Sequence, residues 1–468
     1  MEIKVLGAAR EVGRSAISVR DESANIIMDY GIKLQENEDF PEALKNQGKK
    51  DNSPKNPLHT KNVSAVFLSH AHLDHCGALP MLYKQETPPL YTTALSLELA
   101  NLMIKDSMKI AKKEKYKIPF GKKELEKMNK TAHVLDYNQP VKIGNFTCAL
   151  LDAGHIPGSA GVFLKHKTGR TIFYTGDINT IETELLKPCS LPEKADILII
   201  ESTYGEKLHP DRTQEKANFL SEVELSVNAA SACLIPVFAL GRSQEVLLML
   251  EKYSDSIAID GMAKDASEIM LKHRKCLKDP KRLSKILDNI AWIYDDKERE
   301  IAVKRFPVIV TTAGMMSGGP VLFYLRNIKS MQESKILFTG YIIEDTPAKN
   351  LLKTNVFRNQ KEEYNVLASM HQYDFSAHAD KNGLMDIIKR LNPEHVICVH
   401  GDSCEEFAKN IMTKFSLENL AIGKMTEFNK DKASERTEAI GKMTDLRNKS
   451  AISAIKTYAP RAGEVIKI

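Results

Sequence analysis

No Cys-x-x-Cys pair occurs in this sequence, tryptophan appears once, and no apolar run is long enough to cross a bilayer. The seven cysteines (76, 148, 189, 233, 276, 398 and 404) are odd in number and scattered. That pattern excludes a disulfide framework and points to reduced, mostly buried thiols in a cytoplasmic protein with no membrane partner. No signal peptide opens the chain, since Met1-Glu2-Ile3-Lys4-Val5-Leu6-Gly7 reads as a first strand. Net charge is only +5, too little to establish a nucleic-acid partner. What is present is globular: 468 residues, 43% hydrophobic and 27% charged, enough for two domains. Positive charge is locally concentrated, with ten lysines against four acidic residues over 105–130 and seven Lys/Arg against Asp279 alone over 272–285. Solvated helix faces and a phosphate-tracking surface fit these runs equally.

The chain is organised around Val66-Phe67-Leu68-Ser69-His70-Ala71-His72-Leu73-Asp74-His75. A short apolar run, read as a buried strand, delivers four metal-ligand side chains within six positions. Imidazole nitrogen and carboxylate oxygen suit zinc in an open, catalytic site. One such cluster is too short to fill two coordination shells, so further ligands are expected elsewhere.

They are found at strand ends. Asp29 follows the strand 25–28, His155 stands in Gly154-His155-Ile156-Pro157-Gly158, Asp177 in Thr175-Gly176-Asp177, and His400 closes Val396-Ile397-Cys398-Val399. A lone histidine after a strand is usually only a satisfied polar residue; the repetition carries the inference. One ion is assigned to His70, His72 and His155, a second to Asp74, His75 and His400, with Asp177 bridging and Asp29 orienting a ligand histidine. Two ions about 3.5–4 Å apart suit a phosphoryl displacement, where both attacking and leaving oxygens need holding.

Around these residues the first half is strand-rich, with strands at 3–6, 16–19, 25–28, 147–151, 161–165, 171–175 and 197–200, a helix over 94–113 and a long loop over 35–62. After Thr203-Tyr204-Gly205 the pattern becomes α/β: helices over 213–228, 242–253 and 266–278, strands at 232–237, 256–260, 307–312 and 335–339. Ligand-type residues return at Ser376-Ala377-His378-Ala379-Asp380, followed by a helix over 381–391. The α/β unit is therefore an insertion: 1–203 form the first part of one domain, 204–373 the insert, and 374–468 the second part with a C-terminal segment. That segment repeats Ala-Ile-Gly-Lys-Met-Thr at 421–426 and 439–444, too few copies for a solenoid.

His70-Ala71-His72-Leu73-Asp74-His75, His155 and Asp177 resemble the metallo-β-lactamase superfamily. Glu201-Ser202-Thr203-Tyr204-Gly205, Ser376-Ala377-His378-Ala379-Asp380 and Val399-His400-Gly401 resemble the three motifs of its β-CASP nucleases. The 223 positions separating Asp177 from His400 leave room for the insert. The opening Gly7 to Ser15, Gly241-Arg242-Ser243-Gln244-Glu245 and Thr311 to Pro320 are similar to archaeal relatives of the nuclease subunit of the cleavage and polyadenylation specificity factor, in the form without KH domains. The resemblance implies an αββα sandwich with an inserted β-CASP α/β domain, two Zn²⁺ per chain, single-stranded RNA as partner and a homodimer through the C-terminal segment.

It also implies roles. Asp74 and Asp177 belong to the catalytic centre, and His378 is the general acid, paired with Glu201 to raise its pKa. Arg242 and Ser243, and Ser317, Gly318 and Gly319, lie at turns that follow strands and open helices, where free N–H groups hold phosphates. Tight turns alone also need glycine. Phe238 and Tyr341 are candidates for stacking on a base, and Trp292 for the core. The activity implied is hydrolysis of RNA in mRNA 3′-end processing or decay, read as endonucleolytic. The alternatives are 5′→3′ exonuclease action of the ribonuclease J type, a non-catalytic RNA-processing scaffold, and a small-molecule metallo-hydrolase. Intact ligands argue against the scaffold, and the long insert argues against the small-molecule enzyme.

Overall fold

The computed structural model describes residues 1–33, 40–41, 62–415 and 455–468. Most of the loop expected over 35–62 and both copies of the tail repeat lie outside the described residues.

Strands with period-two alternation build two seven-stranded sheets. In the first, the spatial order is Val465–Lys467, Glu2–Gly7, Ala16–Arg20, Asn25–Met28, Ala65–Phe67, Leu90–Thr92, Ala132–Val134. In the second it is Lys456–Tyr458, His395–Val399, Ile197–Glu201, Thr171–Tyr174, Ala160–His166, Phe146–Asp152, Val141–Ile143. Alternate side chains face opposite ways along a strand. Ile26 and Met28 accordingly enter the core between the sheets, with Phe67, Phe146 and Ile199, while Ile27 turns outward. The outward side chains of the first sheet pack under the helix Ala94–Glu114 through Leu95, Leu99 and Ile104. Those of the second sheet pack under Lys381–Leu391 and the helix 404–415 through Leu384, Ile388, Phe407 and Ile411. The result is the expected αββα sandwich. Fully burying an aliphatic or aromatic side chain of this size contributes about 1.5–3 kcal/mol.

A third sheet is wholly parallel, in the order Ala291–Ile293, Ile257–Asp260, Val308–Thr311, Cys233–Pro236, Lys335–Phe338, Ser369–Gln372. The chain leaves the sandwich after Ile197–Glu201 and returns on His395–Val399, its direct parallel neighbour, with Glu201 opposite Val399. Exit and re-entry side by side let the third sheet hang from one edge without disturbing the sandwich.

Two helices end earlier than their periodicity predicts. The helix expected over 242–253 stops at Met249 and tightens into a narrower turn over Glu251–Ser256. The one expected over 266–278 runs Ala263–Lys272 and breaks at His273, because Leu277 is buried and the Lys278 N–H donates to Leu185 O. Trp292 is half-buried, its indole N–H donating to Leu287 O, and does not fill the centre of the core. Most lysines of 105–130 lie on exposed faces of the helices Ala94–Glu114 and Lys122–Lys130.

Gly31 makes the loop bearing Asp74 and His75 possible: a Cβ there would stand 1.8 Å from Asp74 O and 2.0 Å from its carbonyl carbon. Gly31→Ala must push that backbone aside, at a cost of about 1–3 kcal/mol. Urea unfolding measures this, and an unchanged midpoint would show that the loop yields freely.

Candidate metal centre and acid–base pair

The strands Asn25–Met28 and Ala65–Phe67 run parallel in the first sheet, as do Thr171–Tyr174, Ile197–Glu201 and His395–Val399 in the second. Their carboxyl ends, with that of Phe146–Asp152, open on one edge of the sandwich. Parallel strands end together, so residues distant in sequence meet there. Asp29 and His400 hold φ of +58° and +52°, a left-handed conformation uncommon for non-glycine residues and concentrated at functional sites.

Ligand atoms of His70, His72, His155 and Asp177 lie within 4.8 Å of one another, and so do those of Asp74, His75 and His400. His72 Nδ1 stands 3.1 Å from His70 Nε2 and 3.2 Å from His155 Nε2. Asp177 faces both groups. Its Oδ2 is 3.5 Å from His70 and 3.6 Å from His155; its Oδ1 is 3.2 Å from His75 and 3.3 Å from His400. His400 Nε2 reaches Asp74 Oδ2 at 3.2 Å.

These distances are close, yet Asp177 Oδ1 is buried and makes no well-formed hydrogen bond. Ring nitrogens that approach a carboxylate without aligning on it suit a shared third partner, and this donor set suits a divalent cation. Burial holds His70, His72 and His155 below the ordinary histidine pKa, leaving them the neutral bases a metal requires. Burial pushes the Asp177 carboxyl up, but His400 and His75 outweigh it and hold it well below the usual range.

Asp29 sits behind His75. Its Oδ2 accepts from His75 Nδ1 at 2.7 Å, from the Ser69 hydroxyl at 2.7 Å and from the Tyr174 hydroxyl at 2.8 Å; its Oδ1 accepts from Ser69 N at 2.7 Å. The ring is thereby turned so that Nε2 faces Asp177. Ser69 and Tyr174 escape sequence reasoning; Ser69 has only its adjacency to His70 as a signal, and Tyr174 has none.

His378 stands beside the cluster, its ring 4.5 Å from that of His155 between centroids. Its Nδ1 lies 2.9 and 3.0 Å from the two Glu201 oxygens, and Glu201 Oε1 also accepts from Ile178 N at 2.8 Å. Burial lowers the His378 pKa, and Glu201, with Asp177 and Asp74 behind it, more than reverses this, raising it to about 9. One ligand-type atom each of Asp177, Glu201 and His378 lie within 4.8 Å of one another.

Family models match the chain over 40–233 (beta-lactamase superfamily domain), 243–351 (Beta-Casp domain) and 363–421 (Zn-dependent metallo-hydrolase RNA specificity domain). The chain is 37% identical to "Probable RNase MJ4" of Methanocaldococcus jannaschii, over 90% of this chain and 96% of that one. It is 35% identical to "RNase aCSPSF2" of Saccharolobus solfataricus, over 86% and 80%. It is also 31% identical to "Transcription termination factor FttA" of M. jannaschii, over 89% and 69%. The chain belongs to the β-CASP branch of the metallo-β-lactamase superfamily. A solved structure of a protein of unknown function from Enterococcus faecalis shares the fold, at a TM-score of 0.56 and 14% identity over 99% of both chains.

In this β-CASP protein the expected RNA contacts divide. Gly241 opens the helix Arg242–Met249 with φ of +76°. The Arg242 guanidinium has no hydrogen-bond or ion-pair partner among the described residues, and the residue lines a cleft with Phe238, Gly314, Thr339, Gly340 and Tyr341. Burial, with Arg212 nearby, lowers its pKa to about 10. Phe238 and Tyr341 are 41% and 39% exposed, so neither is wholly used in packing. Ser317 is exposed and Gly318 meets open space. Ser243 differs: it is fully buried, its hydroxyl donating to Ala239 O and its N–H to Phe238 O, so it locks the helix start and offers no free donor.

Asp177→Asn retains shape while removing the charge that faces both groups. Elemental analysis after gel filtration is expected to show metal in the parent and most of it lost from the variant; equal content would remove Asp177 from the centre.

Proposed function

We propose that this protein is a metal-dependent ribonuclease that hydrolyses phosphodiester bonds of single-stranded RNA, with two Zn²⁺ per chain, cutting endonucleolytically in mRNA 3′-end processing or RNA decay. The observation that carries the reading is Asp177 standing between two ligand groups while His378, held by Glu201, stands at their side. The ribonuclease names of the relatives agree with it.

His70, His72 and His155 would hold one ion and Asp74, His75 and His400 the other, with Asp177 facing both groups. When bound, the zinc ions activate a water and offset charge on the phosphate. His378 supplies the proton that the leaving oxygen takes up, and Glu201 keeps its Nδ1 side occupied so that Nε2 faces the substrate. Asp29 fixes His75. Arg242 binds a phosphate at the cleft of the insert, and Ser317, Gly318 and Gly319 contact the same RNA strand. Domain limits of 1–203, 204–373 and 374–468 are part of the same reading, supported by the exit of the chain after Ile197–Glu201 and its return on His395–Val399.

No helix among the described residues is long and apolar enough to cross a membrane, and all seven cysteines are free, which fits a cytoplasmic setting. A homodimer through the C-terminal segment is part of the same reading: its strands Lys456–Tyr458 and Val465–Lys467 finish the edge of each sandwich sheet.

A time course on RNA labelled at its 5′ end tests the mode of attack. Internal fragments are expected from the start; release of mononucleotide alone would establish 5′→3′ exonuclease action. His378→Ala is expected to keep its zinc and lose about 10²–10⁴-fold in rate. Cleavage at the parent's rate would remove the acid role.

A further inference from the structure

Residues 374–380 carry His378 without regular secondary structure, yet their backbone is held at almost every step. Three successive carbonyls accept from three side chains: Ser376 O from Arg212 at 3.3 Å, Ala377 O from His155 Nδ1 at 2.8 Å, and His378 O from His209 Nε2 at 3.1 Å. On the donor side, Ser376 N gives to Asp374 Oδ1, His378 N to Ser376 Oγ, and Ala379 N to Ile178 O.

His209 is the member of this set with no other duty. Arg212 is also paired with Glu245 and lies over the Phe375 ring, and His155 belongs to the metal cluster. The other ring nitrogen of His209 lies 3.0 Å from Asp374 Oδ2, its main-chain N–H gives to Asp380 Oδ2 at 3.3 Å, and its ring sits edge-on to Tyr204 at 4.5 Å. Both ring nitrogens of His209 are thereby engaged, one at the His378 carbonyl and the other at the Asp374 carboxylate. His209 therefore ties both ends of the segment, at 374 and 380, to the carbonyl of the residue whose side chain meets Glu201.

We propose that His209 is a positioning residue for His378: anchored on Asp374 and Tyr204, it grips the His378 carbonyl and so sets the rotation that presents the imidazole to Glu201 and to the substrate. The proposal rests on the acid role of His378. No atom of His209 belongs to the metal cluster, so its contribution passes through His378 alone.

Steady-state cleavage of a short fluorescein-labelled single-stranded RNA tests it. His209→Ala is expected to lower kcat by about 10- to 100-fold, as small displacements of a reacting group do, with KM and zinc content unchanged. His209→Gln, which can still donate to the carbonyl, is expected to recover part of that loss. In a His378→Ala background, removing His209 costs nothing further. An equal cost in both backgrounds, or a parallel loss of zinc, would overturn the proposal. A crystal structure of zinc-loaded His209→Ala needs no RNA: His378 Nδ1 is expected to leave hydrogen-bond distance of Glu201. Retention of both contacts near 3 Å overturns the positioning role. A parent chain that binds zinc but cuts no RNA defeats the ribonuclease reading, and the crystal structure still decides His209.

Discussion

A buried carboxylate between two sets of imidazoles is the constraint that the rest of this structure serves. Removing an ionised Asp177 from water is costly unless cationic partners surround it. Four histidines from three strand ends are arranged around its two oxygens, none in good hydrogen-bond alignment with Oδ1. Such an arrangement is stable when a cation sits among the donors. It accounts for the left-handed backbone at Asp29 and His400 and for the glycines at close approaches nearby: a Cβ on Gly176, at φ of +53°, would stand 2.9 Å from that of Ser69.

The inserted α/β unit is coupled to this centre by its return path. The chain re-enters beside the strand from which it left, and just before re-entry it lays Ala377 O against His155 and His378 against Glu201. His155 and the proposed acid thus meet on a single stretch of backbone, which couples the position of His378 to that of a candidate ligand. The insert also supplies the cleft that holds Arg242, whose guanidinium has no partner among the described residues and lies beside the partly exposed Phe238 and Tyr341.

Much of this was legible in the sequence because strand periodicity is local. Apolar alternation marked the strands, and the run from His70 to His75, with Asp177 and His400 at later strand ends, marked the candidate ligands. Where the reading failed, a main-chain carbonyl had captured the group, distant in sequence for Lys278 and near for Ser243 and Trp292. Leu185 O captures Lys278 N and breaks a helix that periodicity extends; Ser243 is consumed by its own helix start; Trp292 sits half-exposed against Leu287 O.

The sequence by itself determined the sandwich, the insert and the candidate ligand types, since residue chemistry and strand pattern travel together along the chain; the Glu201–His378 pairing came from the family resemblance of their motifs. Only the tertiary structure decided which oxygen of Asp177 meets which histidine, that Tyr174 and Ser69 steady Asp29, and that His209 reaches the His378 carbonyl across 169 positions. Those contacts depend on side-chain directions at converging loops, and a loop's direction is set by what it packs against rather than by its own residues.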